Sequence, residues 1–284
     1  MTITIETPPT ILAEGFRFTE CPRWRDGWLY FSDMHGRTVH RIDEAGTLET
    51  VCRVEARPGG IGFLPGGDML IVAMDEARIL RRSGDRLEPY ADMASAAATG
   101  VNDMVVSREG RAYAGKYCHD IPPPREPLLF VDENGAWREA GEPLDVANGL
   151  VLTANGKRLI VAESAASRLS VFDLAADGTP TNRRIFADLP EGHYPDGICG
   201  DAEDGIWVTC CLGPGLVRVE EGGRITHFIP MAGDRFPYAC ALGGADGRTL
   251  FICSAGPFDP AVMEQGRTGR IETIRAPYAG SGIP

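Results

Sequence analysis

The sequence predicts an all-β chain, a six-bladed β-propeller of four-stranded antiparallel blades closed by an N-terminal strand, and three observations carry that prediction. A short phrase recurs six times: CPRWRDGWLYFSD from Cys21, GIGFLPGGDMLIVAM from Gly60, NDMVVSREGRAYAG from Asn102, NGLVLTANGKRLIVAES from Asn148, DGICGDAEDGIWVTC from Asp196 and ACALGGADGRTLFICS from Ala239. Each copy is an alternating apolar run, a polar turn containing Gly, and a second apolar run rich in Val, Ile, Leu or aromatics, which is the pattern of a β-hairpin. Glu20, Gly60, Asn102, Asn148, Asp196 and Cys240 stand 40, 42, 46, 48 and 44 residues apart, a period that accommodates one four-stranded sheet per repeat.

Taken in order, the first repeat runs from Cys21 through a turn at Asp26-Gly27 into strands over 28–32 and 38–43. The fourth is the clearest: a strand over 149–153, a turn at Ala154-Asn155-Gly156-Lys157, then strands over 158–163, 168–174 and 183–187. The sixth runs from Tyr238 through Asp246-Gly247 to strands over 250–254 and 270–275. Residues 2–13 precede the first repeat and are expected to lend a strand to the last blade, closing the ring and removing an exposed sheet edge. Between Gly115 and Leu128 the stretch KYCHDIPPPREP replaces a tight turn with a proline-stiffened loop; 116–127 is a candidate lid, against the alternative of a surface excursion without a role.

No Pro/Ser-rich linker interrupts the period, so residues 1–284 read as a single domain. Hydrophobic residues make up 43% and charged residues 24%, the balance of a globular chain with a sizeable core. The 35 glycines and 21 prolines fall largely between the apolar runs, where turns need positive or fixed φ. A net charge of −12, with basic residues scattered rather than run together, argues against nucleic-acid binding and suits cations or neutral ligands. No apolar stretch approaches the ~20 residues of a membrane span. The eight cysteines follow no secretory leader and include no CxxC, so they read as reduced small hydrophobes in a cytoplasmic protein.

Familiar catalytic signatures fail. There is no G-x-S-x-G elbow, no H-E-x-x-H and no EF-hand loop; Gly110 to Lys116 fits GxxxxGK, but Tyr117 stands where a Ser or Thr is needed. The five histidines lack ligand spacing, although His119 and His193 fall in inter-strand loops that can line a pocket. More telling are the residues that begin the repeats. The first strand of a blade lies nearest the central channel, so Glu20, Asn102, Asn148 and Asp196 converge on one axis. Two carboxylates and two amides crowded there need compensating partners, and a bound cation supplies them. Their oxygens favour Ca²⁺ or Mg²⁺, with Zn²⁺ and Mn²⁺ also admissible. The competing explanation is that Asx-Gly at a strand start is a plain turn former.

ECPRW at Glu20, ND at Asn102, NGL at Asn148 and PDG at Asp196, one in each of four repeats, resemble the SMP-30/gluconolactonase/luciferin-regenerating-enzyme family over nearly the whole chain. The resemblance implies one divalent metal ion, Ca²⁺ foremost, held by Glu20, Asn148 and Asp196, a substrate-contacting Asn102, and Asp103 near the pocket. It implies a metal-dependent hydrolase, most often of lactones, in which the metal polarises the ester carbonyl and Asp196, with Glu20 beside it, serves the catalytic step, Asp196 as general base. The ligand and base roles of Asp196 pull against each other, since a metal-bound carboxylate is a weak base. Some sugar lactonases of the family carry an arginine where this chain has Val101. Phe16, Phe18, Tyr117, Tyr194, Phe236 and Tyr238 are expected at the channel mouth instead, which suits an apolar or aromatic lactone or ester. Phosphotriester hydrolysis, metal-free chemistry of the strictosidine-synthase-like kind, and a non-catalytic binding propeller remain alternatives.

Overall fold

The computed structural model describes residues 2–97, 99–117, 120–231 and 233–282, and in it the strands form six sheets arranged as a six-bladed β-propeller. The innermost strands of blades 1 to 6 are Thr19–Arg25, Pro58–Phe63, Val101–Val106, Ala147–Leu152, Pro195–Gly200 and Phe236–Gly243. From each of them the chain steps outward by antiparallel hairpins, so neighbouring strands in a blade are neighbours in sequence except where N-terminal strands join the edges of blades 5 and 6. Apolar residues of facing sheets meet between blades. Leu169 and Val171 of blade 4, for example, pack with Val208 and Val217 of blade 5 in one buried cluster.

The ring closes where Thr10–Phe16 pairs antiparallel with Gly269–Arg275 as the outer strand of blade 6. The rest of the segment expected there behaves differently. Ile3–Thr4 pairs parallel with Ile225–Pro230, giving blade 5 a fifth strand. Pro8 and Pro9, which have no N–H to offer a ladder, separate the two strands.

All six inner strands share one irregularity. Their register with the second strand shifts after the opening residues, between Glu20 and Arg23, Pro58 and Ile61, Val101 and Met104, Ala147 and Leu150, Pro195 and Ile198, and Pro237 and Ala239. A bulge of this kind bends the strand and re-aims its side chains. It makes Cys21, Gly59, Asn102, Asn148, Asp196 and Tyr238 the equivalent positions, which corrects the sequence alignment at Glu20, Gly60 and Cys240. In blade 1, Cys21 takes a left-handed φ of 51°, and the carboxylate that reaches the channel comes from Glu20, one place earlier.

The residue after the bulge faces the next blade. A Cβ on Gly149 would stand 2.5 Å from the Asp196 carbonyl oxygen, and one on Gly197 would stand 2.5 Å from the Ala239 Cα. Both glycines have ordinary negative φ, so blade-to-blade contact, not turn geometry, requires them.

Among the described residues the cysteines are unbridged, and no helix is long and apolar enough to cross a membrane. Substituting Gly149→Ala forces apart the inner strands of blades 4 and 5. It is expected to destabilise the chain by about 1–3 kcal/mol, as overpacking does elsewhere; an unchanged urea midpoint would refute that account of the glycine.

Candidate metal centre

The bulges bring four polar side chains to the wall of one cavity of about 1000 Å³ at the head of the channel: Glu20, Asn102, Asn148 and Asp196, from blades 1, 3, 4 and 5. Glu20 and Asp196 are 7% and 8% exposed. Asn102 Nδ2 donates to Asn148 Oδ1 at 3.0 Å, and Asn148 Nδ2 donates to Ser164 Oγ at 3.2 Å. Ser164 in turn donates to the Pro195 carbonyl at 2.7 Å, which ties blade 4 to blade 5 beside Asp196. Glu20 Oε2 accepts the Cys21 N–H at 2.8 Å. Asp196 has two neutral neighbours that favour its charged form, the Cys211 thiol, which donates to the Tyr194 carbonyl at 3.5 Å, and the Asn148 amide.

Burial pushes the Glu20 carboxyl well above the usual carboxylate range, and the nearby Asp196 charge pushes it further. Burial also raises Asp196 to about 7, with Asp103 adding repulsion. Among the described residues neither carboxylate forms an ion pair. Arg23, the guanidinium that acts on Glu20, is bound to Asp103 at 3.0 Å and to the Met104 carbonyl at 2.6 Å. Two buried acids facing each other with only neutral partners fit a divalent cation, and two carboxylates with amide oxygens form a hard donor set. No group of three or more His, Cys, Asp or Glu placed to hold a metal ion by themselves occurs among the described residues, so the donor set needs the amide of Asn148.

Of the aromatic residues expected at the mouth, Phe18, Tyr117 and Tyr238 line the cavity, joined by Phe258. The others do not. Phe16 is packed on Phe31 in the core, with ring centroids 5.1 Å apart; Phe236 packs behind the wall against the core; Tyr194 is 41% exposed away from it. Val101 is fully buried in the core beside the bulge and offers nothing to a ligand. Asp103 is buried and does not line the cavity; it pairs with Arg23 at 3.0 Å, and its charge acts on both Glu20 and Asp196.

His193 is not on the cavity wall, and its Nδ1 is buried without a partner. His119 and Cys118 lie outside the described residues, so of the 116–127 insertion only Tyr117 is seen on the wall. Sequence reasoning missed His35, Ser164, Cys211 and the arginines at 17, 37 and 57, which, apart from His35 and Arg37 in one turn, arrive on separate connections with no spacing in common.

Because the folded pKa of Asp196 is raised from 3.8 to about 7, the metal-free fold binds more protons than the unfolded chain between those values. Stability from this group is therefore present at low pH and lost as pH rises through about 7. Thermal melts of chelator-treated protein should fall over that window by more than those of Asp196→Asn, and added Ca²⁺ should raise the melting temperature more at pH 8 than at pH 5. Parallel profiles for the two proteins would contradict it.

Curated relatives include regucalcin of Xenopus laevis, 25% identical over 256 residues that cover 86% of this chain and 85% of that protein. The 6-deoxy-6-sulfogluconolactonase of Pseudomonas putida is 26% identical over 256 residues, covering 88% and 87%. Among solved structures, the calcium-binding regucalcin of Agrobacterium tumefaciens superposes with a TM-score of 0.81 at 17% identity over 99% of both chains. The gluconolactonase of Xanthomonas campestris gives 0.76 at 20% identity over 96% of this chain and 97% of that one, a likeness of fold. A sequence model of the SMP-30/Gluconolactonase/LRE-like region matches residues 18–256, and the chain belongs to that family.

Proposed function

We propose that residues 1–284 act as one domain and form a divalent-metal-dependent hydrolase of a lactone whose body is apolar or aromatic. The observation that carries the reading is the pair of buried, mutually repelling carboxylates, Glu20 and Asp196, with Asn148 on the same wall of a cavity large enough for a small molecule. Family membership and the gluconolactonase relative support the reaction class.

Glu20, Asn148 and Asp196 would hold the ion, and when bound it supplies Lewis-acid polarisation of the ester carbonyl. Asn102, whose amide already reaches Asn148, holds the lactone in register with those ligands. Asp196 takes the proton from the attacking water and returns it to the ring oxygen as the C–O bond breaks, leaving a hydroxy acid. The carboxylate has two oxygens, so one can serve as ligand while the other faces water. Phe18, Met34, Met74 and Tyr238 supply an apolar wall against which a hydrocarbon or aromatic ring desolvates more readily than a polyhydroxylated one.

A pH-indicator screen of aliphatic, aromatic and sugar lactones, with chelated protein before and after addition of Ca²⁺, Mg²⁺, Mn²⁺ or Zn²⁺, tests this directly. Acid release restored by metal and strongest on apolar lactones is expected. Asp196→Asn and Glu20→Gln should each lower turnover by about 10²–10⁴-fold and weaken metal binding while the circular-dichroism spectrum persists. Full-rate hydrolysis by chelated protein would defeat the metal-dependent reading.

A further inference from the structure

Three arginines stand on one sector of the cavity wall. Arg17 lies between the ring-closing strand and the inner strand of blade 1, Arg37 in the turn joining Trp28–Asp33 to Thr38–Ile42, and Arg57 just before the inner strand of blade 2. All three share the cavity with Glu20 and Asp196. The wall from blades 3 to 5 carries Asn102, Asn148, Ser164 and Asp196 and, among the described residues, no cation. The cavity is therefore polarised, with buried acids at its base and guanidiniums at one side of its mouth.

The three guanidiniums are not equivalent. Arg57 is occupied: its Nε and Nη2 donate to Asp75 Oδ1 at 2.8 and 2.6 Å, and its backbone N–H donates to Oδ2 at 3.2 Å. Arg17 and Arg37 form no ion pair among the described residues. Arg17 Nη1 donates to the Glu264 carbonyl, and Arg37 Nη1 donates to the Glu55 carbonyl at 2.8 Å, which leaves most of each five-donor fork undirected. Most arginines of this chain of net charge −12 sit against a carboxylate; Arg53, Arg108, Arg248 and Arg267 also lack one among the described residues, but of these six only Arg17 and Arg37 line the cavity.

Both are also held in place. The buried Asp33 carboxylate accepts the backbone N–H groups of Arg17 at 3.1 and 3.2 Å, of Phe18 at 2.9 Å and of Gly36 at 3.2 Å, so one side chain fixes the segments that bear both arginines. His35 on the same wall is pushed below the usual imidazole range by burial and by Arg57. The carboxylates on the same side are Asp75, already bound by Arg57, and the exposed Glu264.

We propose that Arg17 and Arg37 form an oxyanion-binding subsite, and that the lactone carries an anionic tail, such as a carboxylate, directed away from Glu20 and Asp196. Guanidinium forks pair with planar oxyanions through charge-assisted, two-pronged hydrogen bonds. The apolar wall then packs the lactone body while the tail fixes its orientation. The reacting end of this inference rests on the lactone-hydrolase reading; the anion subsite does not.

The test uses the metal-loaded full chain with a δ-lactone bearing a carboxyalkyl tail and with the methyl ester of the same compound. The expected result is a kcat/KM at least tenfold higher for the acid, expressed in KM, and a ratio of acid to ester that falls toward one in the Arg17→Gln, Arg37→Gln double variant. Equal use of both compounds by the unaltered protein, or a ratio that survives the double substitution, overturns the proposal. If neither lactone is opened, calorimetry compares the ring-opened hydroxy diacid with its monomethyl ester: tighter diacid binding that is lost in the double variant sustains the subsite even though the hydrolase reading has failed, and equal binding removes it. Should the double variant not fold, Arg17→Gln alone, which gives up one side-chain contact to a backbone carbonyl, is expected to reduce the ratio, and an unreduced ratio counts against the proposal.

Discussion

Crowding at the propeller axis is the constraint from which the rest of the molecule follows. Six inner strands must approach one line, and at Gly149 and Gly197 they approach so closely that a methyl group has no room. The same approach drives the side chains one position earlier toward a shared space. Glu20 and Asp196 are thereby held near each other out of water, at a cost that neither hydrogen bonds to neutral groups nor the distant Arg23 offsets. The fold manufactures a demand for positive charge at its centre.

Chemistry and selectivity occupy different parts of the framework. The candidate ligands sit on bulged strand ends whose positions are fixed by neighbouring blades. The arginines and most of the apolar wall sit on connections between strands, where sequence can change without disturbing the ring. Asp33 is an intermediate case: a strand-end carboxylate whose whole capacity goes into ordering two loops. Such an arrangement lets the mouth change by loop substitution while neighbouring blades hold Glu20, Asn148 and Asp196 in place.

How much of this could be read from the chain follows from what is local. Strand alternation and Gly-bearing turns are local, so the blades were legible, and the polar residues at repeat starts pointed to Glu20, Asn102, Asn148 and Asp196. A bulge leaves no trace in an alternating pattern. The register consequently slipped at Glu20, Gly60 and Cys240, because one extra residue exchanges channel for core. Phe236 and Tyr238 show the same effect two residues apart, one behind the wall and one on it. The arginines at 17, 37 and 57 were illegible for another reason: they meet only through tertiary structure, and each alone is an ordinary basic residue in a turn.

The closing strand carries a consequence for how the chain is made. Thr10 and Thr273, joined across the last blade, are 263 positions apart, and Ile3–Thr4 reaches blade 5 by a similarly long return. During translation Ile3–Thr4 has no partner until 225–230 has emerged, and Thr10–Phe16 none until 269–275 has. Five blades can assemble in order behind the ribosome, each on the one before it, while the first strand waits as an open β edge. The emergence of 269–275 is then the step that seals the circle, so a chain cut before residue 269 would retain most of its blades and lose the seam that holds them in a ring.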